Sequence, residues 1–203
     1  AWDCGIAVVS MVLLALGKID TPLFALAESP DQSVWTIDLA TILQRFQVPD
    51  FTFFTSYIGI NWQYTNDAFY NDALGDDRER VHRLFASAAD AGIRVIPMAL
   101  EASDLRRFLM SGQYAAIVLT DLRYLQCIAC ARGTGFMARR LFPLVQGWRA
   151  GHYILLTDFL PDKGQFIYRD PGSDASLCYV TERVLERARG SVGTDNDVIV
   201  VRI

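Results

Sequence analysis

An α+β fold is predicted by two features of this 203-residue chain: a helical N-terminal part and a later group of strands that pair mainly antiparallel. Residues 4–17 are apolar on nearly every face, which is typical of a helix buried in a core. Residues 152–159 and 165–170 predict two strands, and the segment Pro161-Asp162-Lys163-Gly164 between them predicts a hairpin. We therefore expect a buried N-terminal helix, which carries Cys4, to pack on a mostly antiparallel sheet.

The remaining elements are predicted from apolar periodicity and from β-branched or aromatic runs. Asp3 is expected to cap the first helix, and Ser103 a later one. Residues 61–77 predict a long surface loop with a short helix, and residues 121–150 an irregular excursion at the rim of a site. No repeat or linker interrupts the chain, so residues 1–203 are expected to form a single domain. The other predicted helices are 33–46, 78–91, 104–110 and 181–189, and the other predicted strands are 51–55, 93–99, 114–119 and 197–203.

Composition narrows the classes of function. Hydrophobic residues make up 52% of the chain, enough for a substantial core, and the net charge of −4 provides no basic surface for nucleic acid. No apolar run reaches the roughly 18 residues of a membrane span, and no basic segment of a signal peptide opens the chain. Four cysteines are too few for a disulfide scaffold, so we expect a reducing compartment, cytoplasmic or also nuclear. A Cys127–Cys130 disulfide in a secretory compartment is the alternative.

Cys4, His152 and Asp170 are the candidate catalytic residues. Cys4 lies at a predicted helix start, where unpaired N–H groups and the helix dipole favour the nucleophilic thiolate. The same N–H groups are suited to holding the oxyanion of a tetrahedral intermediate, and Gly5 to leaving room for a substrate backbone. His152, on a later strand, would act as base and then as acid, while Asp170 would fix its tautomer. The order Cys, His, Asp is that of a papain-like thiol hydrolase.

Each of these residues also has a purely structural interpretation. A lone cysteine on an apolar helix is usually a small buried hydrophobe, a lone strand histidine is usually structural, and Asp-Pro-Gly is often only a turn. Asp158 competes with Asp170, because an offset of six positions along one strand keeps it on the same face as His152. We prefer Asp170, since a strand end followed by Pro-Gly is typical of a site edge. The other histidine, His82, is predicted to lie on a solvated helix face.

Two further motifs are less specific. Cys127-x-x-Cys130 has the spacing of metal ligands, but only Cys178 and His82 are left to complete four zinc ligands, and the βαβ context of a redox pair is missing. We therefore prefer plain loop cysteines to zinc or redox chemistry. The segment Arg132-Gly133-Thr134-Gly135 could cradle a phosphate, but it neither follows a strand nor opens a clear helix. The two common Gly-rich nucleotide motifs are absent, and no convincing pair of carboxylates marks a metal-dependent cyclase.

Several segments along the chain carry a family resemblance. They are Trp2-Asp3-Cys4-Gly5, residues 34–40 (Val-Trp-Thr-Ile-Asp-Leu-Ala), Arg94-Val95, residues 116–119 (Ala-Ile-Val-Leu), Cys127-x-x-Cys130, Gly151-His152-Tyr153 and Gly193-Thr194-Asp195. Together they resemble the guanylyl-cyclase-domain-containing family of plants and animals. That family's pattern is in turn similar to the papain-like, bacteriocin-processing peptidases of bacterial transporters. The resemblance implies a papain-like cysteine peptidase fold in which Cys4, His152 and Asp170 form the triad.

One departure from the peptidase pattern affects the expected activity. Those peptidases place a Gln a few residues before the Cys to complete the oxyanion hole. Only Ala1, Trp2 and Asp3 precede Cys4 in this sequence, and none of them is Gln. That Gln either lies upstream of Ala1 or is absent. Without it we expect weak activity, because the loss of one oxyanion donor costs about 10²-fold or more in rate.

The leading expectation is a thiol hydrolase of peptidase or amidase type, which acts on a peptide or other amide bond, with a peptide or protein as the expected substrate and without a cofactor. The first alternative, which the family name implies, is a guanylyl cyclase that converts GTP to cyclic GMP with Mg²⁺ or Mn²⁺ held by acidic loop residues. The second alternative is a non-catalytic adaptor on a hydrolase fold, because a fold does not fix a function. Its partner surface would be the 61–77 loop, with Trp62, Tyr64, Phe69 and Tyr70. No nucleic-acid or membrane partner is expected.

Overall fold

The computed structural model describes residues 4–22, 34–61, 68–130 and 151–203. These ranges contain five α-helices and a seven-stranded sheet, which confirms the mixed α+β class. None of the described helices combines the length and the apolar character that a membrane crossing requires. The helices are α1 (Cys4–Ala15), α2 (Thr36–Arg45), α3 (Ala68–Ser87), α4 (Ala102–Met110) and α5 (Glu182–Arg189), and the strands are β1 (Phe51–Thr55), β2 (Val95–Pro97), β3 (Tyr114–Asp121), β4 (Gly151–Leu160), β5 (Gln165–Arg169), β6 (Cys178–Thr181) and β7 (Val198–Arg202).

The sheet is mostly antiparallel, as predicted. Its strand order is β2-β1-β7-β3-β4-β5-β6, and β1 with β2 is the parallel pair among the described strands. β4 and β5 form the predicted hairpin, joined by a short 3₁₀ turn that ends at Gly164 with a φ of 60°. Leu155 lies opposite Arg169, so Asp170 follows beside the first half of β4. The pairing shifts at a bulge between Leu156 and Asp158.

Helices cover both faces of the sheet. Successive strand residues point to opposite faces, and Ile117 and Leu155 belong to a first core that includes residues of α1, α2 and α3. Their neighbours Val118 and Ile154 belong to a second core that contains Leu105 of α4 and residues of α5. β3 and β4 are thus buried on both sides, which explains their nearly continuous apolar sequences. The end of β4 that carries His152 is held by both layers.

Three sequence predictions require correction. The loop predicted over 61–77 is wrong from Ala68 onward, because α3 already begins there. The helix packs on the first core through residues such as Val81 and Leu84. Glu101, not Ser103, precedes α4, and its N–H donates to the Asp104 carboxylate at 3.1 Å. Strand β6 was not predicted, although its four residues are β-formers paired with β5.

Candidate active site

Cys4 is the first residue of α1, and its side chain is half-buried. The helix is anchored by Val8, Val9, Val12 and Leu13, which are buried in the first core. It packs on β4 and α2, so its N-terminal end lies beside the beginning of β4. Asp3, the expected cap, lies outside the described residues. The apolar sequence of α1 therefore positions the thiol through packing.

Gly5 allows α1 to approach α2 and β4 closely. A Cβ atom on this residue would lie 3.0 Å from Leu39 Cδ2 and 3.1 Å from Tyr153 Cδ2. Such contacts are tighter than carbon atoms usually make, so a larger residue would require Leu39 and Tyr153 to shift. The expectation that Gly5 leaves room for a substrate backbone is wrong, because Leu39 and Tyr153 fill that space. Gly5 instead serves the packing that keeps Cys4 next to β4.

His152 and Asp170 are hydrogen-bonded across the β4–β5 hairpin. His152 Nε2 lies 2.8 Å from Asp170 Oδ1, and both side chains are largely buried, with 12% and 5% exposed. The same carboxylate oxygen accepts the Gly172 N–H at 2.8 Å, which ties Asp170 to its own turn. The competing carboxylate of Asp158 is exposed and accepts the N–H of Phe159 instead. Between the two candidates, the structure therefore pairs His152 with Asp170.

Electrostatic interactions couple Cys4 to His152. Burial raises the pKa of the Cys4 thiol, but the hydrogen bond and charge of His152 and the backbone N–H groups of Tyr153 and Gly5 lower it, and the net pKa lies below its ordinary value. Burial lowers the pKa of His152, whereas hydrogen bonds and charges of Asp170 and Cys4 raise it to about 9 overall. Both net shifts favour a thiolate beside an imidazolium.

A buried polar network supports this arrangement from the first core, and the sequence analysis missed it. The hydroxyl groups of Thr36 and Tyr153 lie 2.9 Å apart, and Thr36 also donates to the Asp197 carboxylate. Burial raises the pKa of Asp197 to about 7, against hydrogen bonds from Thr36 and Thr55 that lower it. Tyr153 follows His152 directly, so this network fixes the backbone at the start of β4. The only sequence signal was the presence of Thr36 and Tyr153 in segments that carry the family resemblance.

The 34–40 segment has a second structural role at the start of α2. The Asp38 carboxylate accepts the Trp35 N–H at 2.9 Å, which caps the helix. Arg80 of α3 pairs with Asp38 and with Asp77, the latter at 2.8 Å. The Trp35 indole also donates to Asp77, at 3.1 Å. These contacts join α2 to α3, and they explain the polar residues of this segment without assigning them to catalysis.

Three cysteines outside this site come together. The sulfur atoms of Cys127, Cys130 and Cys178 all lie within 4.8 Å of one another. Cys178 is buried in the second core, whereas the other two are half-buried. Burial raises the pKa of Cys178 and of Cys130; at Cys127 the N–H groups of Tyr179 and Cys130 outweigh burial and lower the pKa. The β5–β6 pairing brings Cys178 to the Cys127-x-x-Cys130 motif, so these cysteines are neighbours in the fold. The preference for plain loop cysteines over zinc or redox chemistry stays a prediction.

The other predicted features are only partly covered by the described residues. His82 is exposed on α3, as predicted. The segment Arg132-Gly133-Thr134-Gly135 lies outside the described residues, and so do Trp62, Tyr64 and the side chains of Phe69 and Tyr70. A shallow pocket is lined by Arg123, Tyr124, Arg187 and residues 190–192, with the Arg187 guanidinium 4.3 Å from the centre of the Tyr124 ring. Sequence analysis gave no signal for this pocket, because its residues come from separate segments.

Comparison with known proteins identifies a family for the whole site. Residues 1–201 match the sequence family described as guanylylate cyclase. The chain is also 33% identical to Guanylyl cyclase 1 of Arabidopsis thaliana over 207 aligned positions, which cover 100% of this chain and 73% of that protein. The family part of the predicted resemblance is thus confirmed, while its extension to papain-like peptidases stays a prediction. Both names agree with the cyclase alternative rather than with the expected hydrolase.

Proposed function

The chain belongs to the guanylylate cyclase family, and within that family we propose that it is a thiol hydrolase of peptidase or amidase type with a papain-like fold. The observation that carries the proposal is the continuous interaction from Cys4 through His152 to Asp170. A thiol at a helix start, an imidazole and an orienting carboxylate are the parts that nucleophilic acyl transfer needs. The α1 helix packed on a mostly antiparallel sheet supports the papain-like assignment.

The proposed reaction uses each group in turn. The Cys4 thiolate attacks the carbonyl carbon of an amide, and the His152 imidazolium gives its proton to the leaving amine as the C–N bond breaks. The neutral imidazole then takes a proton from water, which attacks the thioester and releases the acid and the thiolate. Asp170 holds the Nε2 side of the ring, which leaves Nδ1 for the thiol. The substrate class proposed here is a peptide or protein.

The decisive experiment measures the alkylation rate of Cys4 by iodoacetamide across pH, with the modified residue identified by peptide mass spectrometry. We expect the rate to reach half its maximum well below the pH of about 8.5 at which a free cysteine titrates. His152→Ala should move that midpoint upward. Cys127, which is also half-buried, serves as an internal reference for accessibility. A Cys4 that titrates like a free thiol, or the same profile in His152→Ala, would refute an activated nucleophile.

A substrate screen then tests hydrolysis itself. Peptide and amide libraries are incubated with the protein and with Cys4→Ala, and cleavage products are identified by mass spectrometry. Cleavage that disappears in Cys4→Ala while the melting temperature is retained supports the proposal. Equal turnover by both proteins would exclude Cys4 as the nucleophile.

Guanylyl cyclase activity is the second candidate, and the names of the family and of the Arabidopsis relative favour it directly. A candidate place for a nucleotide among the described residues is the pocket with Arg123, Tyr124 and Arg187. Arginine suits phosphate groups and an aromatic ring suits a base. The described metal-ligating residues do not suit Mg²⁺ or Mn²⁺. Both ions prefer oxygen ligands, whereas the described cluster of metal-ligating groups consists of three sulfurs. No catalytic step is therefore assigned through the metal.

The two candidates separate in one set of assays. Cyclic GMP is measured by mass spectrometry after incubation with GTP and Mg²⁺ or Mn²⁺, and the melting temperature is measured with and without GTP. A cyclase that uses this pocket predicts a GTP-dependent stabilisation that Arg187→Ala removes and that Arg183→Ala, an exposed arginine on the same helix, retains. Cyclic GMP formation that is unaffected by Cys4→Ala would favour the cyclase over the hydrolase. No product and no stabilisation at saturating GTP would reject it.

A further inference from the structure

The three-thiol cluster lies between a loop and a strand that are far apart in sequence. Cys127 and Cys130 follow β3, and Cys178 is the first residue of β6. Tyr168 of β5 is the register partner of Cys178, so sheet pairing delivers the third thiol. All three are free thiols, and their sulfur atoms lie within 4.8 Å of one another. Three sulfurs that converge from one loop and one strand form a preorganised ligand set.

The distance between two of the sulfurs matches that of two ligands of one metal ion. Zinc binds thiolates at about 2.3 Å, so two sulfurs at tetrahedral positions are roughly 3.8 Å apart. Cys130 Sγ and Cys178 Sγ are 3.7 Å apart. A disulfide would need a sulfur–sulfur distance of about 2.05 Å and a specific dihedral angle. The observed separation matches shared coordination of one ion and would have to shrink greatly for a covalent bond.

We propose that Cys127, Cys130 and Cys178 bind one Zn²⁺ ion through three thiolates, with water in the fourth position. Thiolates are soft ligands and select zinc over Mg²⁺ or Mn²⁺. The Cys130 N–H donates to Cys127 Sγ at 3.3 Å, a bond that stabilises negative charge on a ligand sulfur. The Ser173 hydroxyl lies 3.9 Å from Cys130 Sγ, so a polar group is present beside the cluster for the bound water.

The ion would also brace the turn that carries Asp170. The Ser173 N–H donates to the Asp170 carbonyl at 3.0 Å, and the Ser173 hydroxyl faces Cys130. An ion at the cluster would join the 127–130 segment to β6, directly beside this turn. Its effect would be to tie the 127–130 segment to β6, on elements that do not carry Cys4. The inference does not depend on which reaction the protein catalyses.

Metal binding is tested on the full chain, reduced and freed of metal, by titration with Co²⁺ and then Zn²⁺. We expect thiolate-to-cobalt charge-transfer absorption that saturates at one equivalent and disappears when zinc displaces cobalt. Cys4→Ala should give the same stoichiometry, which rules out binding at the Cys4–His152 pair. Cys130→Ser should lose the absorption; this cysteine is half-buried, so the variant tests binding without removing a core residue. An unchanged titration in Cys130→Ser would overturn the site.

Alkylation mapped by mass spectrometry provides an independent measurement. Zinc should slow the labelling of Cys127 and Cys130 at least about tenfold, as expected for thiolates held by a metal, and should leave the rate at Cys4 unchanged within the same sample. Zinc should also raise the melting temperature of the parent protein, because it binds only the folded state, but not that of Cys130→Ser. Equal protection of all four cysteines, or a Cys130–Cys178 disulfide that forms in the presence of zinc, would contradict a three-thiolate site.

Discussion

His152 Nε2 and Asp170 Oδ1 are 2.8 Å apart, which commits one nitrogen of the imidazole to a buried carboxylate. That carboxylate oxygen also accepts the Gly172 N–H, which holds Asp170 in place. The imidazole therefore cannot rotate without losing its hydrogen bond to Asp170. Two properties follow: the orientation of His152 toward Cys4 and the high pKa of its ring. Both should depend on Asp170, and both can be measured without knowledge of the substrate.

Replacing Asp170 with Asn should lower the pKa of His152. Asp170 is the main group that raises this pKa to about 9, whereas burial lowers it. The titration is followed by NMR of the histidine ring, with His82 as the exposed internal control. Any hydrolytic activity should fall by about 10² to 10⁴-fold, the range associated with general acid–base catalysis. An unchanged His152 titration in Asp170→Asn would show that the carboxylate does not set this pKa.

Stability should depend on pH in two windows, which overlap between about pH 6.5 and 7. The pKa of Asp197 is about 7 in the folded protein, raised by burial from an ordinary 3.8, so its contribution is present below about pH 4 and is lost as pH rises through 7. The pKa of His152 is raised from 6.5 to about 9, so its contribution is present below pH 6.5 and is lost as pH rises through 9. Urea unfolding at a series of pH values measures both windows.

Asp197→Asn isolates the lower window. An amide does not titrate, so the decline of the free energy of unfolding between pH 4 and 7 should flatten, by roughly 1.4 kcal/mol for each unit of the removed pKa shift. The decline between pH 6.5 and 9 should remain, since it belongs to His152. Asp158→Asn, which changes an exposed carboxylate, should leave both windows in place. A full decline between pH 4 and 7 in Asp197→Asn would assign it to another group.

The sequence predicted the elements that carry a strong local pattern. Residues 51–55 are all aromatic or β-branched, and β1 has those bounds. The apolar run after Cys4 likewise indicated a buried helix, and the Pro-Asp-Lys-Gly segment indicated the hairpin that brings Asp170 to His152. Asp170 rather than Asp158 reaches His152 because Leu155 lies opposite Arg169, which places Asp170 beside the first half of β4. Asp158 lies six residues further along β4, about 20 Å away at ~3.3 Å per residue.

The parts that sequence analysis missed depend on long-range packing. The thiol cluster exists because β5 pairs with β6, and the sequence spacing of Cys127 and Cys178 contains no information about that pairing. The Thr36–Tyr153 hydrogen bond likewise joins a helix start to a distant strand. Gly5 was assigned to the substrate because its motif adjoins Cys4, although its missing side chain is required by Leu39. Cys4 and Gly5 are adjacent in the motif, but Cys4 is the candidate nucleophile and Gly5 serves packing.

Gly5→Ala tests that packing role. The added methyl group would lie 3.0 Å from Leu39 Cδ2 and 3.1 Å from Tyr153 Cδ2, so we expect destabilisation of about 1 to 3 kcal/mol. Because α1 would shift away from β4, the alkylation midpoint of Cys4 should also move upward. The Gly5→Ala/Leu39→Ala double variant removes one of the clashing side chains. Its loss in free energy of unfolding should be smaller than the sum of the losses in the two single variants. Strict additivity would show that Leu39 is not the obstacle.

Arg80→Ala tests the contacts between α2 and α3. Arg80 pairs with Asp38 and with Asp77, whose side chain is only 7% exposed, so its removal leaves a buried carboxylate without its cation. We expect a loss of about 1 to 3 kcal/mol in the free energy of unfolding, measured by urea denaturation.

Arg83→Ala is the matched control on the same helix: its partner Glu79 is 3.8 Å away, and the two side chains are 75% and 86% exposed. Such a solvent-exposed pair contributes about 0 to 1 kcal/mol, so Arg83→Ala should be nearly neutral. Equal effects of the two variants would mean that the Arg80 pairs, despite the burial of Asp77, do not stabilise the contact between α2 and α3 more than an exposed pair does.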